Sequence, residues 1–446
     1  MEYFPASIVV LISLFAPCFK ANNFFYFQGF MLAYMLLGQT RKCVTKIAGV
    51  CFFIDRHTAS MERFLSTNQW DLSRVRSCLV NVIQDKFKDN LLIHGAYLVW
   101  MDTFLVSKMK GKMAGVQKWH DHSSNPDRGD RLIGHHWAIA GLIGFGMVEG
   151  ILSPICFPLL ANLISGQLNP LGFVVNSLGE AQLMSIWDTV CPMIAQLHGM
   201  LGPQPMRIVA DAYFSKAPFI NWMLSIGVHV VSRMRWDAVG WDDPEPLPPG
   251  KKRRGRKSKK TPKGKKWKLA SWVKCFPLET VNVSIYGKVK KLQVVCRDIW
   301  ITGVESQKVR IVVVKTKGRP IIFISTDLTL IPAQIIEIYA RRFMCEIVIR
   351  DLKQNFGIGD YQCTGFLAII RYVALAITGF CLWRTAAIDN GTEWLNPREK
   401  TTPLSFGRIS RSLRGFVMRR IFQKSAIGAD LQNSNALPEE IIDMIV

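Results

Sequence analysis

The sequence lacks paired cysteines. Its eleven cysteines are scattered singly along 446 residues, and no two of them form a Cys-x-x-Cys pair. Zinc ribbons use such pairs, and small secreted domains use an even number of cysteines in disulfides. The odd count and the wide spacing exclude both classes and predict reduced, mostly buried thiols in a cytosolic protein.

Uninterrupted apolar runs of membrane-spanning length are also missing. Residues 7–19 are apolar for only about a dozen positions and contain Pro17, whereas a membrane helix needs about 20. Residues 365–383 are long enough, but Arg371 interrupts them. We therefore predict a core helix there and a soluble protein with no membrane partner. A membrane-associated basic protein that uses this stretch as a span is the alternative.

Acidic residues are few relative to basic ones. The 33 Asp and Glu residues are set against 56 Lys and Arg, a formal net charge of +23, which indicates a polyanionic partner. Residues 251–268 alone hold twelve basic residues and no acidic one. Such a run stays solvated, either as a flexible loop or as a nucleic-acid contact. We favour the contact, and the residues predicted to bind nucleic acid are Lys251, Lys252, Arg253, Arg254 and Arg256.

Hydrophobic patterning divides the chain into segments. Apolar residues recur at helical spacing before residue 90, and apolar runs bounded by turns follow, first in series and then alternating with helices. This order is typical of an α/β fold. The predicted segments are an N-terminal helical domain at 1–90, an α/β core at 91–235 and 331–390, a β-rich insertion at 236–330 and a basic tail at 391–446.

Two apolar runs end in an aspartate. Asp102 follows AYLVWM, and Asp211 follows RIVA. Sites in open α/β sheets collect at the carboxyl ends of strands, although an aspartate there also caps loops. We therefore expect both carboxylates at one edge of a sheet.

Residues 339–357, YARRFMCEIVIRDLKQNFG, are predicted to lie on one helix that begins near Pro332. Four polar side chains of this helix fall within an arc of roughly 60°, at the edge of the apolar stripe and not opposite it. These are Tyr339, Arg342, Glu346 and Lys353, and Arg350 falls in the same arc. Pairs at i,i+4 also form ordinary ion ladders on exposed helices, which is the alternative interpretation.

Three carboxylates meeting at one sheet edge repel one another unless cations bind them. Asp102, Asp211 and Glu346 offer the oxygen ligands that Mg²⁺ prefers, and two such ions can hold both sides of a phosphodiester bond under attack. The cations beside the glutamate, Arg342 and Lys353, suit phosphate binding.

The pattern Tyr-x₂-Arg-x₃-Glu-x₆-Lys, here Tyr339, Arg342, Glu346 and Lys353, resembles the signature of bacterial insertion-sequence transposases of the IS-four-like superfamily. Asp102 in MDTFLVSK and Asp211 in VADAYF resemble the two aspartates of their DDE triad. The resemblance covers most of the chain and is weakest at its ends.

This resemblance implies an RNase H-like catalytic core interrupted by the β-rich insertion. It implies that Asp102, Asp211 and Glu346 hold two Mg²⁺ ions, for which Mn²⁺ can substitute. It further implies phosphate contacts from Tyr339, Arg342 and Lys353, to which we add Arg350, and a homodimer on double-stranded DNA that joins transposon ends to target DNA.

The predicted function is therefore a nucleoid-associated cytoplasmic transposase, with the N-terminal domain binding DNA ends. The alternative is a DNA-binding protein of the same fold that has lost catalysis.

Overall fold

The computed structural model describes residues 2–54, 57–108, 113–120, 131–164, 186–244, 264–304, 306–389, 394–395 and 404–429. Its helices, in chain order, are α1 (Ala6–Ser13), α2 (Ala21–Leu36), α3 (Val44–Gly49), α4 (Thr58–Ser66), α5 (Leu72–Phe87), α6 (Ile186–Leu201), α7 (Ala217–Ser225), α8 (Trp272–Cys275), α9 (Pro332–Arg341), α10 (Phe343–Asn355), α11 (Phe366–Asp389) and α12 (Phe406–Ala429).

The strands alternate with these helices in the middle of the chain. In chain order they are β1 (Leu92–Ile93), β2 (Ala96–Ser107), β3 (Gln117–His120), β4 (Arg131–Val148), β5 (Ile151–Ile164), β6 (Met206–Ala210), β7 (His229–Met234), β8 (Val239–Trp241), β9 (Lys266–Lys268), β10 (Glu279–Ile285), β11 (Lys288–Ile299), β12 (Val309–Val314) and β13 (Ile321–Ser325). The predicted mixed α/β class is therefore confirmed.

The chain forms two compact units. The first comprises Met1–Leu91, Thr103–Met193 and Ile347–Val446, and the second comprises Leu92–Asp102 and Ile194–Glu346. We call them unit 1 and unit 2.

The sheet of unit 2 has the strand order β10-β11-β12-β13-β7-β6-β2. Strands β2, β6 and β7 are parallel, with Trp100 opposite Val209 and Ala210 opposite Ser232. The remaining neighbours along this order, from β7 outward to β10, are antiparallel. Because parallel strands end at the same edge, this register brings the carboxyl ends of the apolar runs before Asp102 and Asp211 together.

Branched apolar residues of the antiparallel strands form the core of this sheet's outer half. Val295, Ile311, Val313 and Ile324 are buried there with Trp272 of α8. β-branched residues suit such a pleated, buried surface, which explains why this stretch of sequence forms strands.

Two predicted elements differ from the structure near the candidate site. The predicted single helix from Pro332 is two helices, α9 and α10, which meet at Arg342. Strand β2 does not end at Asp102 but continues to Ser107. Asp102 nevertheless lies beyond the last residue of β2 that pairs with β6, Trp100.

Helix α11 of unit 1 is the long apolar helix that the sequence predicts. It is the one helix among the described residues that is long and apolar enough to cross a membrane, and 89% of that apolar window is buried inside the protein. Arg371 of this helix donates hydrogen bonds to the carbonyls of Phe64, Leu65, Asn68 and Trp70. These carbonyls lie at and beyond the end of α4, where backbone acceptors lack helical partners. The arginine therefore has a structural partner within the core.

The predicted basic tail at 391–446 contains a helix, α12. Its Arg408 side chain is buried and pairs with Glu149 of the same unit, with 2.6 Å between Nη2 and Oε1. Basic residues in this segment therefore take part in packing as well as in the surface charge.

A buried ion pair holds the other edge of the parallel strands in unit 2. Arg207 of β6 donates from Nε to Asp327 Oδ2 at 2.7 Å and from Nη1 to the carbonyls of Ile93 and His94. Asp327 also accepts from the backbone and side chain of Thr329. The pair thus joins β6, the turn before β2 and the loop that leads to α9.

We predict that Asp327→Asn lowers the free energy of unfolding by about 3 kcal/mol, because Arg207 then remains buried with an uncompensated charge. Asparagine keeps an oxygen that accepts from Thr329, so the loss of stability reports on the ion pair with Arg207 alone. Urea unfolding measures it, with Asp237→Asn as the control, since the Arg235–Asp237 pair is exposed. Equal stability of the two variants would contradict this role of the buried pair.

Candidate functional site

Asp102 lies in β2 and receives two hydrogen bonds at one oxygen. Nη1 of Arg342 lies 3.2 Å from its Oδ2, and Sγ of Cys345 lies 3.4 Å from the same atom. The Asp102 side chain is largely shielded from solvent, with 19% of its surface exposed. Both donors come from the junction of α9 and α10, so this junction fixes the carboxylate in unit 2.

Asp211 directly follows β6 and caps a short turn. Its Oδ1 accepts a hydrogen bond from the backbone N–H of Tyr213 at 2.9 Å. The hydroxyl of Ser232 on β7 donates to the backbone carbonyls of Ala210 and Asp211. Asp211 therefore caps this turn, as the sequence allows, in addition to any role in a site.

Burial disfavours the charged form of Asp211. It raises the pKa of the carboxyl above the ordinary aspartate value, although the Tyr213 N–H and the charge of Arg342 act in the opposite direction. Arg342 is therefore the neighbouring cation that helps to keep Asp211 ionised.

Glu346 lies in the first turn of α10 and pairs with Arg342 four residues earlier. The Arg342 Nη2 to Glu346 Oε1 distance is 2.7 Å, which is the i,i+4 pair that the sequence predicts. Half of the Glu346 side chain is exposed to solvent. The carboxylate is thus held on one side and accessible on the other.

Arg342 links the site because of where the helices break. Its backbone forms the turn after α9, and its guanidinium reaches Asp102 through Nη1 and Glu346 through Nη2. Burial acts to lower the pKa of Arg342, but Cys345, Tyr339, Asp102 and the hydrogen bond to Glu346 outweigh burial and raise the pKa. The guanidinium is therefore a permanent positive charge between Asp102 and Glu346, and it also acts on the pKa of Asp211.

Cys345 is a site residue that the sequence does not identify as one. Its spacing assigns it to the apolar stripe of the helix, and the side chain is indeed buried. Burial, followed by the charge of Asp102, raises the pKa of the thiol, so it remains a hydrogen-bond donor. Its position directly before Glu346 could have identified Cys345 as a candidate site residue.

Tyr339 is the remaining signature residue of unit 2. Its ring lies 5.9 Å from the guanidinium carbon of Arg342 and packs against Phe323 of β13. Burial raises the pKa of its hydroxyl, which therefore stays protonated at neutral pH.

The other predicted contact residues lie elsewhere. Lys353 and Arg350 belong to unit 1, where the Lys353 ammonium lies 5.6 Å from the ring of Phe104. The predicted contacts in the basic run, Lys251, Lys252, Arg253, Arg254 and Arg256, lie outside the described residues.

The three carboxylates of the candidate site are suitable ligands for a divalent cation, but two of them pair with Arg342. Carboxylate oxygens from Asp102, Asp211 and Glu346 are ligands that Mg²⁺ and Mn²⁺ accept. Across the part of the chain that the structure describes, no three His, Cys, Asp or Glu side chains lie close enough together to hold one metal ion. A cation bound by all three would require the Arg342 contacts to change.

Two protein-family models match the chain. A transposase DDE domain model matches residues 188–381, which include Asp211 and Glu346. A model of the DDE superfamily endonucleases matches residues 14–150, which include Asp102. A search of curated proteins finds no match to the chain. The two family matches support a DDE transposase, an enzyme class that cleaves DNA.

We predict that Asp211→Asn raises the Tm at pH 8 by about 1–3 °C. The folded-state pKa of Asp211 lies above its unfolded value, so the folded protein loses stability as pH rises through that folded pKa. Asparagine stays neutral and keeps the oxygen that accepts from Tyr213.

Thermal unfolding at pH 8 and at pH 4 measures this effect, because the gain should shrink at the lower pH. The exposed control Asp237→Asn should show little change at either pH. A gain for Asp211→Asn that is the same at both pH values would contradict the assignment to ionisation.

Proposed function

We propose that the protein is a transposase that cleaves phosphodiester bonds at the ends of an insertion sequence and joins the 3′ ends to target DNA. Asp102, Asp211 and Glu346 are its catalytic carboxylates. The observation that carries this proposal is their common link to Arg342, which pairs with Asp102 and Glu346 and acts on the pKa of Asp211. Carboxylates gathered in this way at the carboxyl edge of parallel strands are ligands that divalent cations accept, which supports a metal site.

The three carboxylates would hold Mg²⁺, with two ions expected and Mn²⁺ able to substitute. Such ions supply activation of an attacking oxygen and stabilisation of the leaving oxygen in phosphoryl transfer. Within the chain, Asp102 is already oriented by its two donors, Asp211 by the turn that it caps, and Glu346 by its place on α10. Binding of a cation by all three would replace the contacts of Arg342 with Asp102 and Glu346.

Basic residues would hold the DNA. Tyr339 and Arg342 of unit 2 are proposed to bind phosphates near the scissile bond, and Arg350 and Lys353 to bind phosphates further along the duplex. The basic run at 251–268 would add contacts without sequence preference. The proposal includes an N-terminal domain that binds DNA ends, a homodimer that brings two ends together, and a soluble, nucleoid-associated protein.

We predict that Glu346→Gln abolishes cleavage and leaves DNA binding unchanged or slightly stronger. The change removes one metal ligand and one negative charge near the bound phosphate. DNA from both flanks of this gene's own locus is incubated with the purified protein and Mg²⁺ or Mn²⁺, and strand breaks are mapped. Asp237→Asn, which removes an exposed carboxylate, is the matched control and should cleave like the wild type.

Breaks at discrete positions with the wild type and the control, but not with Glu346→Gln, would support the transposase. Binding without breaks for all three proteins would instead support the alternative, a DNA-binding protein of this fold that has lost catalysis.

A further inference from the structure

Strands β10 and β11 form a hairpin that extends past the rest of its sheet. Ile285 pairs with Lys288 next to the turn, and pairing between β11 and β12 begins only at Val294, opposite Val314. A further backbone hydrogen bond joins Lys315 N–H to the Gln293 carbonyl. Residues 288–292 therefore project beyond β12, by about 16 Å at the usual strand rise. We call residues 280–293 the hairpin arm.

The turn at the tip of this arm is tight and well formed. Tyr286 and Gly287 both have positive φ angles, 52° and 73°. Two consecutive positive φ values are typical of the type I′ turns that match the twist of a two-stranded ribbon. The arm is thus a defined β-ribbon and not a loose loop.

The arm is basic and exposed. It carries Lys288, Lys290 and Lys291 and no acidic residue, and all three lysines are exposed. The tip also exposes Tyr286, at 69%, and Val289, at 74%. One face of the ribbon presents hydroxyl, amide and ammonium groups, all exposed, from Thr280, Asn282, Ser284, Lys291 and Gln293. These groups donate hydrogen bonds and suit phosphate oxygens.

Two contacts fix the arm to the helices that carry the site. Glu337 of α9 accepts a hydrogen bond from the backbone N–H of Ser284 at 2.6 Å. At the tip, the ring of Tyr286 packs edge-on against Phe343, with 5.8 Å between centroids. Phe343 directly follows Arg342, so the tip is anchored next to the residue that links the three carboxylates.

The strand register directs the arm toward the same edge as these carboxylates. Met234, the last residue of β7, pairs with Ile322 at the start of β13, and Ile321 pairs with Val314 at the end of β12. The tip of the arm, the end of β12 and the end of β7 therefore lie at one edge. Because β2 and β6 run parallel to β7, Asp102 and Asp211 lie at that edge too.

From this geometry we propose that the hairpin arm is a DNA-binding element that contacts the phosphate backbone of the duplex entering the site. The polar face, which includes Lys291, lies against the duplex. Lys288 and Lys290, which the register places on the opposite face, pair with phosphates further along the backbone. The charge of the arm suits a polyanion, and a two-stranded ribbon fits the major groove of B-DNA. This proposal rests on the proposed function, because it takes its partner to be the substrate of the carboxylate site.

The test is the salt dependence of binding to a 40-base-pair duplex of arbitrary sequence, measured by fluorescence anisotropy in EDTA so that no cleavage contributes. The triple variant Lys288→Gln, Lys290→Gln, Lys291→Gln should flatten the slope of log Kd against log salt by about 2 to 3, since each lost phosphate contact removes about 0.9. Affinity near 0.15 M salt should fall by about tenfold or more. Exposed lysine-to-glutamine changes leave folding nearly unaffected, which circular dichroism checks.

The matched control removes the same charge from the shorter β12–β13 turn, as Lys315→Gln, Lys317→Gln, Arg319→Gln. We expect the control to change the slope by less than half as much. An equal slope change in both triple variants would mean that net charge alone matters, and the proposal that the arm binds DNA would be wrong. If the arm variant lost binding to anionic phospholipid vesicles but bound the duplex like the wild type, the proposal would also be wrong.

The two proposals fail differently in this assay. If the wild type binds the duplex and the arm variant shows the same slope, the arm proposal alone is wrong. If the wild type does not bind duplex DNA at any salt concentration, the proposed function fails together with the arm.

Discussion

The site in unit 2 depends on Arg342, which pairs with two carboxylates at once. Arg342 contacts Asp102 and Glu346 directly and lowers the pKa of Asp211, which burial raises. The guanidinium therefore holds a strand carboxylate and a helix carboxylate together in a partly shielded place. We propose that the carboxylates bind divalent cations, because acidic groups gathered at such a place are typical of functional sites.

The placement of these side chains follows from two features of the backbone. Parallel pairing of β2, β6 and β7 brings Asp102 and Asp211 to one sheet edge. The break between α9 and α10 then places Arg342 where it reaches both strand and helix. The buried pair of Arg207 and Asp327 ties the opposite edge to the loop that leads to α9.

The sequence predicts the parts of this site that depend on local pattern. Apolar runs ending in Asp102 and Asp211 identify two strands, although only Asp211 follows the end of its strand, since β2 continues to Ser107. The spacing of Arg342 and Glu346 identifies an i,i+4 pair that the structure contains. The contact between Arg342 and Asp102 joins residues 240 positions apart, and no local pattern encodes it. The helix break was missed because neither proline nor glycine marks it, and an unbroken helix fits the same apolar stripe.

Two further features, the role of Cys345 and the projection of the hairpin arm, could not be predicted from the local sequence pattern. Cys345 has helical spacing typical of a core residue, so its hydrogen bond to Asp102 becomes visible only in three dimensions. The β-rich character of the segment that contains the hairpin arm was predicted, but the projection of the arm depends on the register between β11 and β12. Register is set by packing across the sheet, which a single sequence does not state.

The central claim is that Asp102, Asp211 and Glu346 together hold divalent metal. Its most direct test is a titration of Mn²⁺ into the DNA-free protein, followed by the loss of the free-ion EPR signal, for wild type and for Asp102→Asn, Asp211→Asn and Glu346→Gln. We predict that the wild type binds Mn²⁺ and that each substitution weakens binding by about 10-fold or more. Equal Mn²⁺ binding by all four proteins would contradict it.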